Sequence, residues 1–385
     1  MATREDLRML QALPLCGVTG KVERTLGLIA EWYAYWDNQC YVSFSGGKDS
    51  TVLADIAAKW CAIAGIPLYL VFVDTGLEYP EIKEHVRTFA QYLREKYDIE
   101  VNLMVLRPKM TFADVITKYG YPIIGKNQAN CIRLARQNLI QKKYSLRLTH
   151  LGFSVEDAVS IGLKIPEPDM IERFHRAADG SKFNVEKYRK LLDADFLISD
   201  VCCDIMKKQP SHEYEKITGR HSITGQMAEE SMNRENAWLK NGCNAFAAKV
   251  PKSNPMSFWL GQDVLAYVKT YDIPIAPVYG DIVFEKDPEQ IRMDESFCAE
   301  RLCTTGCDRT GCIFCGFGAH MEKGEGRFVR LKRTHPKLWR YCIYGGGYDP
   351  ADGLWKPTKE GLGMGHVFDV LNGLYGDGFI PYGKE

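Results

Sequence analysis

The sequence predicts an α/β fold built on a doubly wound, mostly parallel sheet, and three observations carry that expectation. Short apolar runs at 40–44, 68–73 and 101–106 alternate with helix-like stretches at 50–58, 80–97 and onward from Thr111. The first run ends in a glycine-containing turn, Ser45-Gly46-Gly47-Lys48-Asp49-Ser50, and the second in Asp74-Thr75-Gly76. Strands alternating with helices in this way pair in parallel, because each crossover needs a helix to return the chain.

Taken in order, Cys40-Tyr41-Val42-Ser43-Phe44 reads as a buried strand, and Thr51-Val52-Leu53-Ala54 and the residues after it as a buried helix. A strand, a Gly-rich turn and a helix present backbone N–H groups to an anion. Gly46 and Gly47 let the backbone approach phosphate oxygens closely, and Lys48 adds a point charge. The spacing differs from G-x-x-x-x-G-K-[ST], which excludes a P-loop kinase or GTPase. Ligands of such sheets bind beyond the carboxyl ends of the strands. Ser45, Gly46, Gly47 and Ser50 are therefore expected to line one pocket with Asp74, Thr75 and Gly76. Alone, Asp74 reads equally well as a turn cap.

Between 120 and 200 the alternation breaks down. Lys126, Arg133, Arg136, Lys142, Lys143 and Arg147 follow one another without an acidic residue, which fits either a phosphate-holding face or a solvated basic one. The stretch 151–193 reads as an amphipathic helical insertion. The expected organisation is an N-terminal helical segment at 1–36 and a nucleotide-binding domain at 37–290, with its insertion at about 120–200. A Cys-rich region at 291–385 completes it.

Composition narrows the classes. The chain has 385 residues, 45% of them hydrophobic and 25% charged, with a formal net charge of zero. No global field draws it to nucleic acid or membrane, so any such contact is local. It opens without a signal-peptide pattern and has no apolar run near the roughly 20 residues of a membrane helix, so a cytoplasmic protein is expected. In that compartment its 13 cysteines point to metal or redox chemistry rather than disulfides.

The Ser45–Ser50 turn resembles the S-G-G-x-D-S pyrophosphate loop of the PP-loop ATP pyrophosphatases, whose fold is adenine nucleotide alpha-hydrolase-like. Further blocks, in matching order, resemble the branch that reduces adenylyl sulfate and phosphoadenylyl sulfate. They are Asp74-Thr75-Gly76 through Pro80-Glu81, Cys202-Cys203 through Lys207 and Pro210, and Ile223-Thr224-Gly225 through Glu230-Ser231 and Arg234. Trp259 with Asp263-Val264, and Pro274 through Pro277-Val278-Tyr279, complete the set. The resemblance implies that ATP is held by Ser45 to Ser50, by Asp74 to Gly76 and by Gly225. Lys48, Asp49 and Asp74 become the candidate catalytic residues, with Asp49 or Asp74 positioning Mg²⁺.

It also implies a [4Fe–4S] cluster on Cys202, Cys203, Cys312 and Cys315, since a Cys-Cys pair and a distant C-x-x-C hold one in cluster-bearing relatives. A local zinc site on Cys303, Cys307, Cys312 and Cys315, with Cys298 in reserve, competes with it.

Departures from the reductases bear on function. Met227 stands where the family has arginine, Asp204 and Met206 fill positions that are often basic, and the last cysteine is Cys342, with no tail C-G-[IL]-H. The chain is similar in kind to the ATP pyrophosphatase component of bacterial DNA phosphorothioation systems. That resemblance implies pyrophosphate release from ATP, a nucleic-acid acceptor (DNA favoured) and a cysteine desulfurase as sulfur donor. A sulfonucleotide reductase, thiolation of tRNA or a small molecule, and a nucleotide-binding redox sensor are the alternatives. Lys323, Arg327, Arg330, Lys332, Arg333, Lys337 and Arg340 occur among Phe328, Trp339 and Tyr341. That pattern suits either a nucleic-acid track or a helix packing its aromatics inward.

Overall fold

The computed structural model describes residues 2–141, 186–286, 300–322 and 324–384. The chain forms two compact units. One comprises Met1–Pro108 with Gln209–Gly311, the other Lys109–Lys208 with Cys312–Glu385. Among the described residues no helix is long and apolar enough to cross a membrane.

The first unit carries the expected sheet. Its strands are β1 (Cys40–Ser43), β2 (Leu68–Val73), β3 (Val101–Leu106), β4 (His221–Ile223), β5 (Asn244–Ala245) and β6 (Lys252–Ser253). They lie in the order β3-β2-β1-β4-β6-β5. All neighbours run parallel except β5 and β6, and Val42 sits opposite both Leu70 and Ile223. The chain winds outward from β1 through β2 to β3, then returns to β1's other side with β4. That reversal is the switch point at which open α/β sheets bind ligands, and the Ser45–Ser50 turn leaves β1 there.

Helix Lys48–Ala64 is largely buried through Ala58 because small and apolar residues cover most of its circumference there, Val52, Leu53, Ala54, Ile56, Ala57 and Ala58 among them. Its one deep carboxylate, Asp55, is satisfied by Lys96 Nζ at 2.8 Å and the Tyr267 hydroxyl at 2.7 Å. Gly65 closes the helix in the left-handed conformation, at φ 64°.

His85 of helix Pro80–Tyr97 packs beside Phe44 and Phe89, its Nε2 3.1 Å from Thr51 Oγ1. Burial pushes it down to about 4 from its ordinary 6.5. The unfolded chain therefore takes up this proton at a higher pH than the folded one. The stability owed to the neutral ring is complete above about 6.5 and is lost as pH falls towards 4. The loss is on the order of 3 kcal/mol. His85→Gln, which has no ring to protonate, is expected to lose less of its melting temperature than wild type over that interval. Parallel melting curves for the two proteins would refute this role of His85.

The second unit is mainly helical. Helices Phe112–Tyr119 and Lys126–Gln141 flank a strand, Ile123–Ile124, that pairs in parallel with Gly316–Phe317. The basic helix is committed within its own unit. Arg133 Nε donates to Asp200 at 2.8 Å and Arg136 Nη1 to the Phe196 carbonyl at 2.5 Å, so neither is a loose phosphate ligand. Lys142, Lys143, Arg147 and most of the stretch read as a helical insertion lie outside the described residues; its end, Glu186–Asp193, forms a 3₁₀ helix.

Helices Arg327–Thr334 and Pro336–Ile343 bury Phe328 and Trp339, so these rings pack inward and are not platforms for bases. Arg327 pairs with Glu322 at 2.6 Å, Arg330 with Glu325 at 3.5 Å and Arg333 with Glu325 at 2.8 Å. Lys332 caps the Gly383 carbonyl.

Candidate active site and cysteine cluster

At the end of β1 the chain turns through Gly46, whose φ of +74° and close approach to helix Pro80–Tyr97 both exclude a side chain. A Cβ there would lie 2.8 Å from Val86 Cγ2 and 2.9 Å from Ile82 Cγ2. Gly47 then caps helix Lys48–Ala64 in extended conformation, which aims the first N–H groups of the helix out of the turn. Inside the turn, Ser50 Oγ donates to the Gly47 carbonyl at 2.9 Å and lies 3.1 Å from Ser45 Oγ. Gly225, following β4, abuts the same turn: a Cβ on it would sit 3.1 Å from the Asp49 carbonyl oxygen.

A cavity of about 430 Å³ opens beside this turn. Lys48, Asp49, Met227, Glu229, Asp308 and Arg309 are among the residues that line it. Lys48 Nζ donates to the Asp308 carbonyl at 3.1 Å and stands 3.4 Å from Asp49 Oδ1. The Lys48 N–H donates to the hydroxyl of buried Tyr279 at 3.0 Å, which is 2.7 Å from Thr310 Oγ1. Asp49 Oδ1 is screened from solvent and accepts no hydrogen bond. Burial raises the Glu229 carboxyl above its usual range, against the Gly261 N–H that donates to it, with Asp263 and Asp49 adding repulsion.

Of the residues expected to share one pocket, Lys48 and Asp49 line this cavity, whereas Ser45, Gly46, Gly47, Ser50, Asp74, Thr75, Gly76 and Gly225 do not, and the side chains of Asp74 and Thr75 serve the turn after β2. Asp74 pairs with Lys83 Nζ at 2.7 Å and accepts the Gly76 N–H at 3.1 Å. Burial opposes its charge, but Lys83 and the Gly76 N–H outweigh burial and hold the carboxyl below its usual range. Thr75 Oγ1 donates to Glu78 at 2.7 Å. The turn-cap reading of Asp74 is the one its contacts support.

Sequence reasoning missed Asp308, Arg309 and Thr310. They lie between cysteines that drew attention to themselves, in a stretch without periodicity. Strands Ile282–Lys286 and Glu300–Thr304 pair antiparallel, and Leu302 is tied by its N–H and carbonyl to Gln262, both at 2.8 Å. That anchoring delivers the following residues to the cavity.

Cys202, Cys203, Cys312 and Cys315 all belong to the second unit. Cys202 donates to Cys203 and, with burial, this raises its own thiol far above the ordinary value; Cys203, Cys315 and Cys312 add to the rise. The same hydrogen bond, then the Lys126 and Lys207 ammoniums, hold Cys203 well below the ordinary thiol value despite burial. Burial lowers the pKa of Lys126, but Cys203, Cys315 and Cys202 carry it above normal. The four thiols thus lie within electrostatic reach of one another, with the Lys126 ammonium beside Cys203.

Among the described residues no three His, Cys, Asp or Glu side chains are drawn together tightly enough for a single metal ion. A lone zinc holds its sulfurs ~3.8 Å apart, as follows from Zn–S bonds of about 2.3 Å; a cubane needs a wider cage. Of the competing zinc ligands, Cys303 and Cys307 belong to the first unit and Cys312 and Cys315 to the second, while Cys298 lies outside the described residues. No disulfide forms among the described cysteines, and Cys342 is fully buried, with its thiol raised by burial.

Comparison with known proteins agrees with this geometry. The uncharacterised protein MJ0973 of Methanocaldococcus jannaschii is 23% identical over 343 residues, 87% of this chain and 56% of its own length. An adenosine 5′-phosphosulfate reductase of Burkholderia cepacia is 30% identical over 111 residues, 29% of this chain and 43% of its own. The chain spans about half the length of the curated relatives it matches. The model of the phosphoadenosine phosphosulfate reductase domain matches residues 39–152 and 153–316, which take in the β1 turn, the β4 segment and the strands that border the cavity. A domain match of that extent, over a mostly parallel sheet with its glycine-containing turn at the switch point, means that the chain belongs to the phosphoadenosine phosphosulfate reductase domain family.

Proposed function

We propose that this protein is an ATP pyrophosphatase that adenylates an acceptor oxygen so that sulfur can replace it, with DNA phosphorothioate modification as the favoured setting. The observation that carries the reading is Asp49 Oδ1, a screened carboxylate oxygen without a hydrogen-bond donor, next to Lys48 and the N–H groups of the β1 turn. An orphaned anionic oxygen of this kind suits a divalent cation that arrives with a nucleotide. Asp49 would hold Mg²⁺, which when bound offsets phosphate charge.

In the first step the acceptor oxygen attacks the α-phosphorus of ATP. The bond from that phosphorus to the bridging oxygen of the β-phosphate breaks, and its electron pair leaves on pyrophosphate. The turn N–H groups and the Lys48 ammonium stabilise the charge that develops there. In the second step a sulfur nucleophile attacks the activated atom, and AMP departs with the former acceptor oxygen. The sulfur would come from a cysteine desulfurase as a persulfide whose outer sulfur attacks, and a second thiol would then reduce the resulting disulfide, leaving one sulfur on the acceptor and a disulfide between the two thiols. Cys202, Cys203, Cys312 and Cys315 would hold a [4Fe–4S] cluster, which supplies electron-transfer or sulfide-binding chemistry when present.

A sulfonucleotide reductase remains the second reading, and one observation favours it: Cys303 lines the same cavity. Burial and Glu285 raise its thiol, which leaves it protonated and weakly nucleophilic at neutral pH.

Met227, an apolar side chain on the cavity wall, separates the two readings. Calorimetry is expected to show magnesium-bound ATP held more tightly than adenylyl sulfate or its 3′-phosphorylated form. Tighter binding of either sulfate would favour the reductase.

A further inference from the structure

We propose that Arg309 grips the pyrophosphate end of the bound nucleotide together with Lys48, an assignment that rests on the nucleotide reading above. The stretch around Arg309 is a built part of the site. The Thr305 N–H donates to the Asp281 carbonyl at 3.0 Å, Gly306 to Tyr279 at 2.8 Å and Cys307 to Val278 at 3.1 Å. Both neighbours of Arg309 then join the hydrogen bonds of the β1 turn. The Asp308 carbonyl accepts from Lys48 Nζ at 3.1 Å, and Thr310 Oγ1 is 2.7 Å from the Tyr279 hydroxyl that receives the Lys48 N–H. Arg309 is thereby fixed beside Lys48 and Asp49 on the cavity wall.

Its guanidinium is aimed by Glu230, to which Arg309 Nη2 donates. Glu230 also pairs with Arg234 and accepts the Met227 N–H at 3.1 Å. A guanidinium has five donors in a planar fork, so one bond to Glu230 leaves others for phosphate oxygens. The Arg309 side chain is 63% exposed, which leaves that fork accessible. Met227 places no charge at the cavity wall, and Arg309 brings a cation there from a part of the chain remote in sequence.

The test is titration of the full chain, purified anaerobically, with ATP, AMP and inorganic pyrophosphate, each with Mg²⁺. Arg309→Ala is expected to weaken ATP and pyrophosphate about ten- to hundredfold, the range for a hydrogen bond to a charged group. AMP affinity should be unchanged, and Arg309→Lys should recover part of the loss. Arg309→Gln, which keeps the aliphatic stem and a polar, uncharged end, repeats the measurement if the alanine variant folds poorly. Wild-type affinity for ATP and pyrophosphate in the Arg309 variants, with both lost in Lys48→Ala, overturns the role of Arg309 and leaves the nucleotide site standing. So does an equal loss for AMP and ATP. Wild-type protein that binds ATP no more tightly than AMP overturns the nucleotide assignment, and this proposal with it.

Discussion

Lys48→Ala and Asp49→Ala are each expected to cut pyrophosphate release from ATP by about two to three orders of magnitude, the cost of removing a preorganised group from developing charge. Lys48 reaches the cavity at the start of a helix whose dipole favours an anion. Its ammonium is almost fully buried, so it acts in a medium where charge is poorly screened. Asp49 offers an oxygen that accepts no hydrogen bond and stands 3.4 Å from the Lys48 ammonium. Neither side chain holds the sheet together, so both variants should fold, and Lys48→Met keeps the buried stem as a control for packing. The measurement is the conversion of labelled ATP to AMP and pyrophosphate, with and without DNA and a cysteine desulfurase. Undiminished pyrophosphate from both variants would remove the central assignment. Formation of ADP in place of AMP would also do so, since that is transfer of the terminal phosphoryl group.

The sheet was legible in the sequence because its strands are short apolar runs and its helices long periodic ones. β1 and β2 begin and end within a residue of the expected runs, and the turn between β1 and its helix carries Gly46 where the backbone has no room for a side chain. The two-unit organisation was not legible. Each unit joins two stretches separated in sequence, and among the described residues the second has only brief strands, such as Ile123–Ile124 with Gly316–Phe317, that leave no pattern. Within the site, Lys48 could be named beforehand as the charge beside a Gly-rich turn, and Asp49 and Gly225 through the resemblance of their segments to family motifs. Asp74 could not be separated from a cap until its partner Lys83, a turn away on the next helix, was seen. Arg309 was invisible for the opposite reason. Its position depends on hydrogen bonds from Thr305, Gly306 and Cys307 to residues 278–281, and a single sequence does not encode such pairings by spacing.

Serine in place of Cys202, Cys203, Cys312 or Cys315 is expected to strip iron from the protein and lower its stability. The wild type, purified without oxygen, should be brown and carry about four irons per chain for a cubane cluster. The expectation rests on four thiols that perturb one another inside one unit, with the Lys126 ammonium beside them. Four thiolates crowded without a metal would repel each other strongly, so a site of this kind gains its stability from the group it binds, and ligation becomes folding energy. Loss of one ligand should therefore lower both iron content and melting temperature, whereas serine at Cys303 or Cys307 in the first unit should leave the iron in place. Iron by colorimetric assay, zinc by elemental analysis and the visible absorption band distinguish the outcomes. Stoichiometric zinc without iron would overturn the shared site. A variant set in which Cys303 and Cys307 prove necessary while Cys202 and Cys203 are dispensable would do the same, because the hydrogen-bonded Cys202–Cys203 pair beside Lys126 would then have no metal to serve.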